Sequence, residues 1–373
     1  MDERLKGSLF PIAYSSMKIP TAFQKRLYRN SVFGTLFSFA LIHCDATEDP
    51  LPDHLVELAW AYAITIEPPP PLPEDEVKHS LPGTPLTFTR DEIVGRKDGV
   101  AFQTAPADWY PGDHPEMPEI YAKGDPERNI IACALCHYPN GKGKAENAPP
   151  AGQSEGYLIQ QLLDFQNDLR KCADPRKSNY ELMIETAKGM TEQEIIEVSA
   201  YLESMKWTQW IDVIETRTVP KTYLRGGLHI PIEGPDAGTE PIGKRIIESP
   251  VDSYKTEFLR DPRSGFVAYV PEGSIEKGAQ LVLTGNNGKT IQCAICHGPD
   301  LNGIGVIPGI ASRSPSYMAR QLNDMKQGTR KGEMAKLMIP VVESLTSEDI
   351  LNIVAYTASL PAPEFKTNQY GKN

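Results

Sequence analysis

One five-residue word occurs twice in this chain, as CALCH at Cys133, Cys136 and His137 and as CAICH at Cys293, Cys296 and His297, 160 residues apart. Two cysteines at i and i+3 lie on one side of a helical turn, so both thiols can add to the two vinyl groups of a haem. The adjacent histidine then projects its imidazole at the iron, which is why CxxCH reads as c-type haem attachment. A thioredoxin-like CxxC would need a βαβ setting, which is absent. A zinc site would need four grouped ligands, and each word is one short.

The surroundings of the words repeat as well. Tyr157 stands twenty positions after His137, and Tyr317 twenty positions after His297. Each tyrosine opens a similar helix, YLIQQLLDFQNDLR at 157–170 and YMARQLNDMKQGTR at 317–330, with apolar residues at the tyrosine and one, five and eight positions beyond it. That spacing is one face of a helix. Met183 and Met338 each lie eight residues before a threonine, and Thr191 and Thr346 open final helices with capping-box partners Glu194 and Asp349. The repeat marks two helical units, 116–206 and 267–360.

A haem histidine leaves the far side of the iron to a second ligand, and a thioether there raises the reduction potential. Methionine is also a common core filler, and Met190, Met325 and Met334 are nearby; only Met183 and Met338 keep the repeat register. The other five histidines, at 43, 54, 79, 114 and 229, share no register, which weakens a bis-histidine scheme. The ligand histidine must also be oriented through its second ring nitrogen. Pro308 is placed to offer a carbonyl to His297, and in register Ala148 stands opposite His137. Glycines 141, 143, 298, 303 and 305 allow close wrapping over a flat macrocycle.

The remainder of the chain differs in character. Residues 1–46 have the form of a signal peptide or N-terminal anchor. Lys18, Lys25, Arg26 and Arg29 precede the apolar run VFGTLFSFALI at 32–42, too short to span a bilayer. The segment is open to cleavage after Ala46, to lipidation of Cys44 or to retention as an anchor, and a buried apolar helix end is the plain alternative. Residues 47–115 form a Pro-rich extension, with EPPPPLPEDE at 67–76 as a polyproline spacer and LVELAWAYAIT at 55–65 as a helical stretch that docks on the body. Residues 207–266 read as an inter-domain segment with short strands, WIDVIETRTV at 210–219 the clearest, and 361–373 as a tail. Formal charge is −11, which disfavours nucleic acid and anionic membrane as partners; losing residues 1–43, with six basic and two acidic side chains, would take it to −15.

Taken together, the CxxCH words, the Pro-Gly-rich wrap, the Tyr-led helix, the methionine and the LTSEDI…AYTASL helix resemble class I cytochrome c domains, in the arrangement of tandem dihaem cytochromes c of the bacterial periplasm. The likeness covers 116–206 and 267–360. It implies a mainly α fold with two such domains and two covalently bound haem c groups. Cys133, Cys136, Cys293 and Cys296 would attach them, and His137, Met183, His297 and Met338 would serve as axial ligands. It further implies a carrier of single electrons between redox proteins, either independent or as the cytochrome subunit of a dehydrogenase or oxidase; the N-terminal segment points to an exported, periplasmic protein, free or membrane-anchored, and the acidic charge to a basic docking patch on the partner. A dihaem cytochrome c peroxidase is the enzymatic alternative, needing one haem open to peroxide. A haem-bearing interaction module is the third.

Overall fold

The computed structural model describes residues 51–65, 76–97 and 103–363; the apolar run at 32–42, Cys44, the prolines at 68–71 and the end of the tail lie outside them. Residues 53–62 form a single helical turn, α1 (Asp53–Glu57), followed by a 3₁₀ turn (Ala59–Tyr62). Trp60, Ala61 and Tyr62 are buried there. Strands β1 (His79–Ser80) and β2 (Thr87–Phe88) pair antiparallel, and α2 (Arg90–Val94) follows, started by a reciprocal Thr89–Glu92 cap. Trp109 is fully buried against Leu81 and Ile93, and its indole N–H donates to the Leu259 carbonyl at 2.8 Å. The extension is thereby stapled to residues 150 positions later in the chain.

The first helical unit runs through α3 (Glu119–Lys123), α4 (Cys133–His137), α5 (Glu155–Gln166), α6 (Asn179–Gly189) and α7 (Glu192–Glu203). Ser154 caps α5, and Thr191 and Glu194 cap α7 reciprocally, satisfying amides that a helix start leaves unpaired. Arg128 grips the Glu194 carboxylate with two nitrogens at 2.6 and 2.9 Å, and this holds its pKa down at about 2. Tyr121 of α3 meets Tyr201 of α7 with ring centroids 4.8 Å apart. Their hydroxyls donate to the carbonyls of Tyr138 (2.8 Å) and Pro139 (2.6 Å), fixing the chain as it leaves the first CxxCH word.

Between the units lie β3 (Ile211–Thr216), β4 (Thr218–Pro220), β5 (Thr222–Arg225), β6 (Leu228–Pro231), β7 (Thr239–Pro241), β8 (Ile247–Pro250) and β9 (Phe266–Pro271). β9 is the central strand of a three-stranded sheet, parallel to β3 and antiparallel to β8. Its alternate residues Phe266, Ala268 and Val270 are buried, the period-two signature of a strand with one face on the core. Gly226 and Gly227, with φ of 55° and 76°, close the β5–β6 hairpin; a two-residue turn of that hand needs positive φ at both positions.

Strand β9 leads into the second unit: α8 (Ser274–Thr284), α9 (Ala294–His297), α10 (Pro315–Lys326), a 3₁₀ turn (Glu333–Met338), α11 (Ile339–Val342) and α12 (Ser347–Ser359). Ser314 caps α10 and the Thr346–Asp349 pair caps α12. α8 crosses α12 at Gly278, where a Cβ would stand 2.0 Å from the Asn352 carbonyl oxygen. Only glycine allows that approach. Gly278→Ala is therefore expected to cost about 3 kcal/mol of stability in denaturant unfolding, the upper end of ordinary overpacking. A change below about 0.5 kcal/mol, as for an indifferent surface site, would mean that the helices do not cross this closely.

Candidate functional site

Each CxxCH word opens into its own apolar cleft. The first encloses about 1390 Å³, solvent at its mouth included, and brings together Cys133, Cys136, His137, Ala148 and Met183. The second encloses about 1570 Å³ and brings together Cys293, Cys296, His297, Pro308 and Met338. Tyr317 lines both clefts, whereas Tyr157, although it belongs to the first unit, lines the second.

The histidines are oriented alike. His137 Nδ1 lies 2.9 Å from the Ala148 carbonyl oxygen, and His297 Nδ1 lies 2.7 Å from that of Pro308. A carbonyl only accepts, so Nδ1 carries the proton and Nε2 is left with its lone pair. Burial pushes both imidazoles below their usual pKa, which keeps them neutral. It also pushes the Cys133, Cys136 and Cys293 thiols up, Cys133 to about 12 and Cys293 to about 11, so these three remain S–H groups and not thiolate ligands. Among the described residues, no group of three or more His, Cys, Asp and Glu is arranged to hold a bare metal ion.

The two clefts share a wall. Ala148, Pro150, Leu158, Gln161, Arg170, Tyr317 and Gln321 face both. The wall is built by an antiparallel bridge between Arg170 and Arg330, flanked by the Lys171 amide on the Thr329 carbonyl (2.9 Å) and the Lys331 amide on the Leu169 carbonyl (2.8 Å). The side chains repeat this symmetry. Arg170 donates to Gln161 (3.1 Å), Gln321 (3.1 Å) and the Tyr317 hydroxyl (2.8 Å). Arg330 donates to Gln321 (3.0 Å), Gln161 (2.8 Å) and the Tyr157 hydroxyl (3.2 Å). Both guanidiniums are buried, and among the described residues neither has a carboxylate within 4.0 Å. Burial alone would raise the Tyr157 phenol, but Arg330 and Arg170 outweigh it and bring its pKa down.

A second reciprocal contact reaches the histidine-orienting loops. Gln153 exchanges two hydrogen bonds with the Gly309 backbone (2.8 and 2.9 Å), next to Pro308. Arg313 donates to the carbonyls of Pro149 (2.7 Å) and Ala151 (2.9 Å), next to Ala148. Each unit thus clamps the loop that positions the other's histidine. Sequence reasoning missed these residues, although Gln161 and Gln321, and Arg170 and Arg330, also stand 160 positions apart.

Comparison with known proteins decides the family. The cytochrome c family profile matches residues 119–206. Cytochrome c-554(548) of Halomonas halodenitrificans is 38% identical over 68 residues, 18% of this chain and 82% of that protein. The chain belongs to the cytochrome c family. The thiosulfate dehydrogenase electron acceptor of Stutzerimonas stutzeri is 26% identical over 250 residues, covering 66% of this chain and 87% of that protein. Cytochrome c4 of Pseudomonas aeruginosa is 21% identical over 249 residues, covering 64% and 90%. This cytochrome is a tandem dihaem, electron-transfer protein with covalently bound haem c. Its clefts fit that group: in each, the two cysteine thiols and a neutral imidazole with a free Nε2 face one apolar slot.

The wall makes a quantitative expectation. Tyr157→Phe and Tyr317→Phe should each cost about 1.5–3 kcal/mol, the range for a hydrogen bond to a charged group. Because both hydroxyls hang on one Arg–Gln network, the double variant should depart from additivity by at least about 0.5 kcal/mol in a denaturation cycle. Strict additivity would show two independent contacts instead of one network.

Proposed function

We propose that Cys133 and Cys136 in the first cleft, and Cys293 and Cys296 in the second, attach the haems through thioether bonds within units 116–206 and 267–360. His137 with Met183, and His297 with Met338, close the two irons. A haem held in this way supplies a one-electron iron couple. The protein's part would be to offer each iron the Nε2 of His137 or His297 and the soft thioether of Met183 or Met338, a donor set that would favour the ferrous state and raise the potential. It leaves neither iron an open position for substrate. The observation that carries this reading is that each word shares its cleft with a methionine in repeat register, Met183 or Met338, whereas Met190 in the first cleft and Met325 and Met334 in the second stand outside that register.

The partners are redox proteins. A relative bears the name electron acceptor of thiosulfate dehydrogenase, and by this likeness the chain takes electrons from a periplasmic oxidoreductase and passes them on, as a separate carrier or as its cytochrome subunit. The acidic chain, at −11, suits a basic docking patch on the partner and a short-lived interface. At the second word Ile295 is 66% exposed, with Val306 and Leu337 also exposed on that cleft's rim, an apolar centre for the contact. We place the protein in the periplasm, with residues 1–46 as its export segment; no helix among the described residues is long and apolar enough to cross a membrane.

Two measurements test this reading. Pyridine haemochrome analysis should give two haems per chain, falling to one in Cys133→Ala/Cys136→Ala and to the other one in Cys293→Ala/Cys296→Ala. The dithionite-reduced protein should leave its spectrum unchanged under carbon monoxide and show no rapid peroxide turnover. Carbon monoxide binding at one haem together with fast peroxide reduction would contradict the carrier role and favour a peroxidase.

A further inference from the structure

The first cleft holds something that the second lacks. Twelve residues separate Arg170 from Met183, but only seven separate Arg330 from Met338. The extra length lies in KCADPRKSNYEL at 171–182, and it is tied down at both ends. The Ala173 amide donates to Asp324 Oδ1 at 2.8 Å, on the same oxygen that accepts the Tyr62 hydroxyl at 3.0 Å. At the far end, Asn179 Nδ2 donates to Asn147 Oδ1 (3.1 Å), and Asn147 Nδ2 donates to the Cys136 carbonyl (3.2 Å), inside the first word.

This segment sets Lys177, only 6% exposed, into the lining of the first cleft. Among the described residues its ammonium has no carboxylate within 4.0 Å. Asp174 is occupied by Arg176, at 2.6 Å through the guanidinium, and Glu146 stands 3.5 Å from Lys144. The buried neighbour Arg320 is a cation as well, hydrogen-bonded to the carbonyls of Ala145 and Glu146. Burial, and then Arg320, push the Lys177 pKa down to about 8. A buried ammonium without an anion is costly, so the site is complete only when an anion enters the cleft.

Haem carries two propionate carboxylates. We propose that Lys177 is the counter-ion of a propionate on the first haem and sets that haem's potential above the value it would have without the charge. The inference rests on the first cleft being a haem site. Its sign follows from charge alone: oxidation adds a positive charge at the iron, a nearby cation opposes it, and removing the cation eases oxidation. The second unit has no counterpart to the segment, so the effect falls on one haem.

The test uses the full chain with both haems, as parent, Lys177→Gln and Lys177→Arg, in redox titrations followed by absorbance. In Lys177→Gln, one couple should become about tenfold more oxidised at fixed ambient potential, about 59 mV for a one-electron couple, while the other stays in place. Lys177→Arg should keep both couples near the parent. Two unmoved couples in Lys177→Gln would overturn the proposal, as would Lys177→Arg moving as far as Lys177→Gln. A changed near-infrared sulfur-to-iron band in Lys177→Gln would place the amine at the iron and overturn it too. If Lys177→Gln does not load haem, the propionate bending band in resonance Raman decides between parent and Lys177→Arg; an unchanged band overturns the proposal. Haem counts separate these failures from failure of the site itself, since a parent whose haem content survives Cys133→Ala/Cys136→Ala has no haem in this cleft.

Discussion

The backbone pairing of Arg170 with Arg330 is the constraint from which the rest of the functional architecture follows. It joins the loops that leave two equivalent helices, α5 and α10, and so imposes a local two-fold relation on the two units. Under that relation one set of side chains faces both clefts. The loops bearing Ala148 and Pro308 are then each held by the opposite unit, through Arg313 and Gln153. Orientation of either histidine is consequently a property of the pair of units.

The chemistry of the wall is unusual in charge. Two buried guanidiniums are satisfied by glutamine and tyrosine oxygens instead of carboxylates. Neutral acceptors cancel little of their charge, so a positive potential reaches both clefts across a medium of low effective dielectric. A positive potential favours the ferrous state of either proposed haem, in the same sense as a methionine ligand. The two clefts differ in what surrounds this common wall. The first has the tethered segment 171–182, and the second has an apolar, exposed rim.

Much of this was legible in the sequence because it depends on local patterns. The words, the threonine caps and the helix faces are set within a few residues, and the repeat register carried Met183 and Met338 beside them. What was not legible depends on contacts across the chain. Nothing local to Tyr157 says that it faces the second cleft, and the repeated Gln161/Gln321 and Arg170/Arg330 pairs gain meaning only once the loops meet. Tyr62 reaches Asn323 and Asp324 over more than 260 residues. The parallel pairing of β3 with β9 is equally remote, since a parallel pair needs a long crossover that period-two alternation cannot specify.

The central claim is that two closed haems face one another across a single wall built from both units. Pulsed dipolar electron paramagnetic resonance on the fully ferric protein tests it most directly. The account predicts two low-spin centres with a dipolar interaction that persists on dilution, because it arises within one chain, and that shifts when Arg170→Met loosens the wall. Two magnetically independent ferric centres, or a high-spin signal from an iron with an open position, would contradict it.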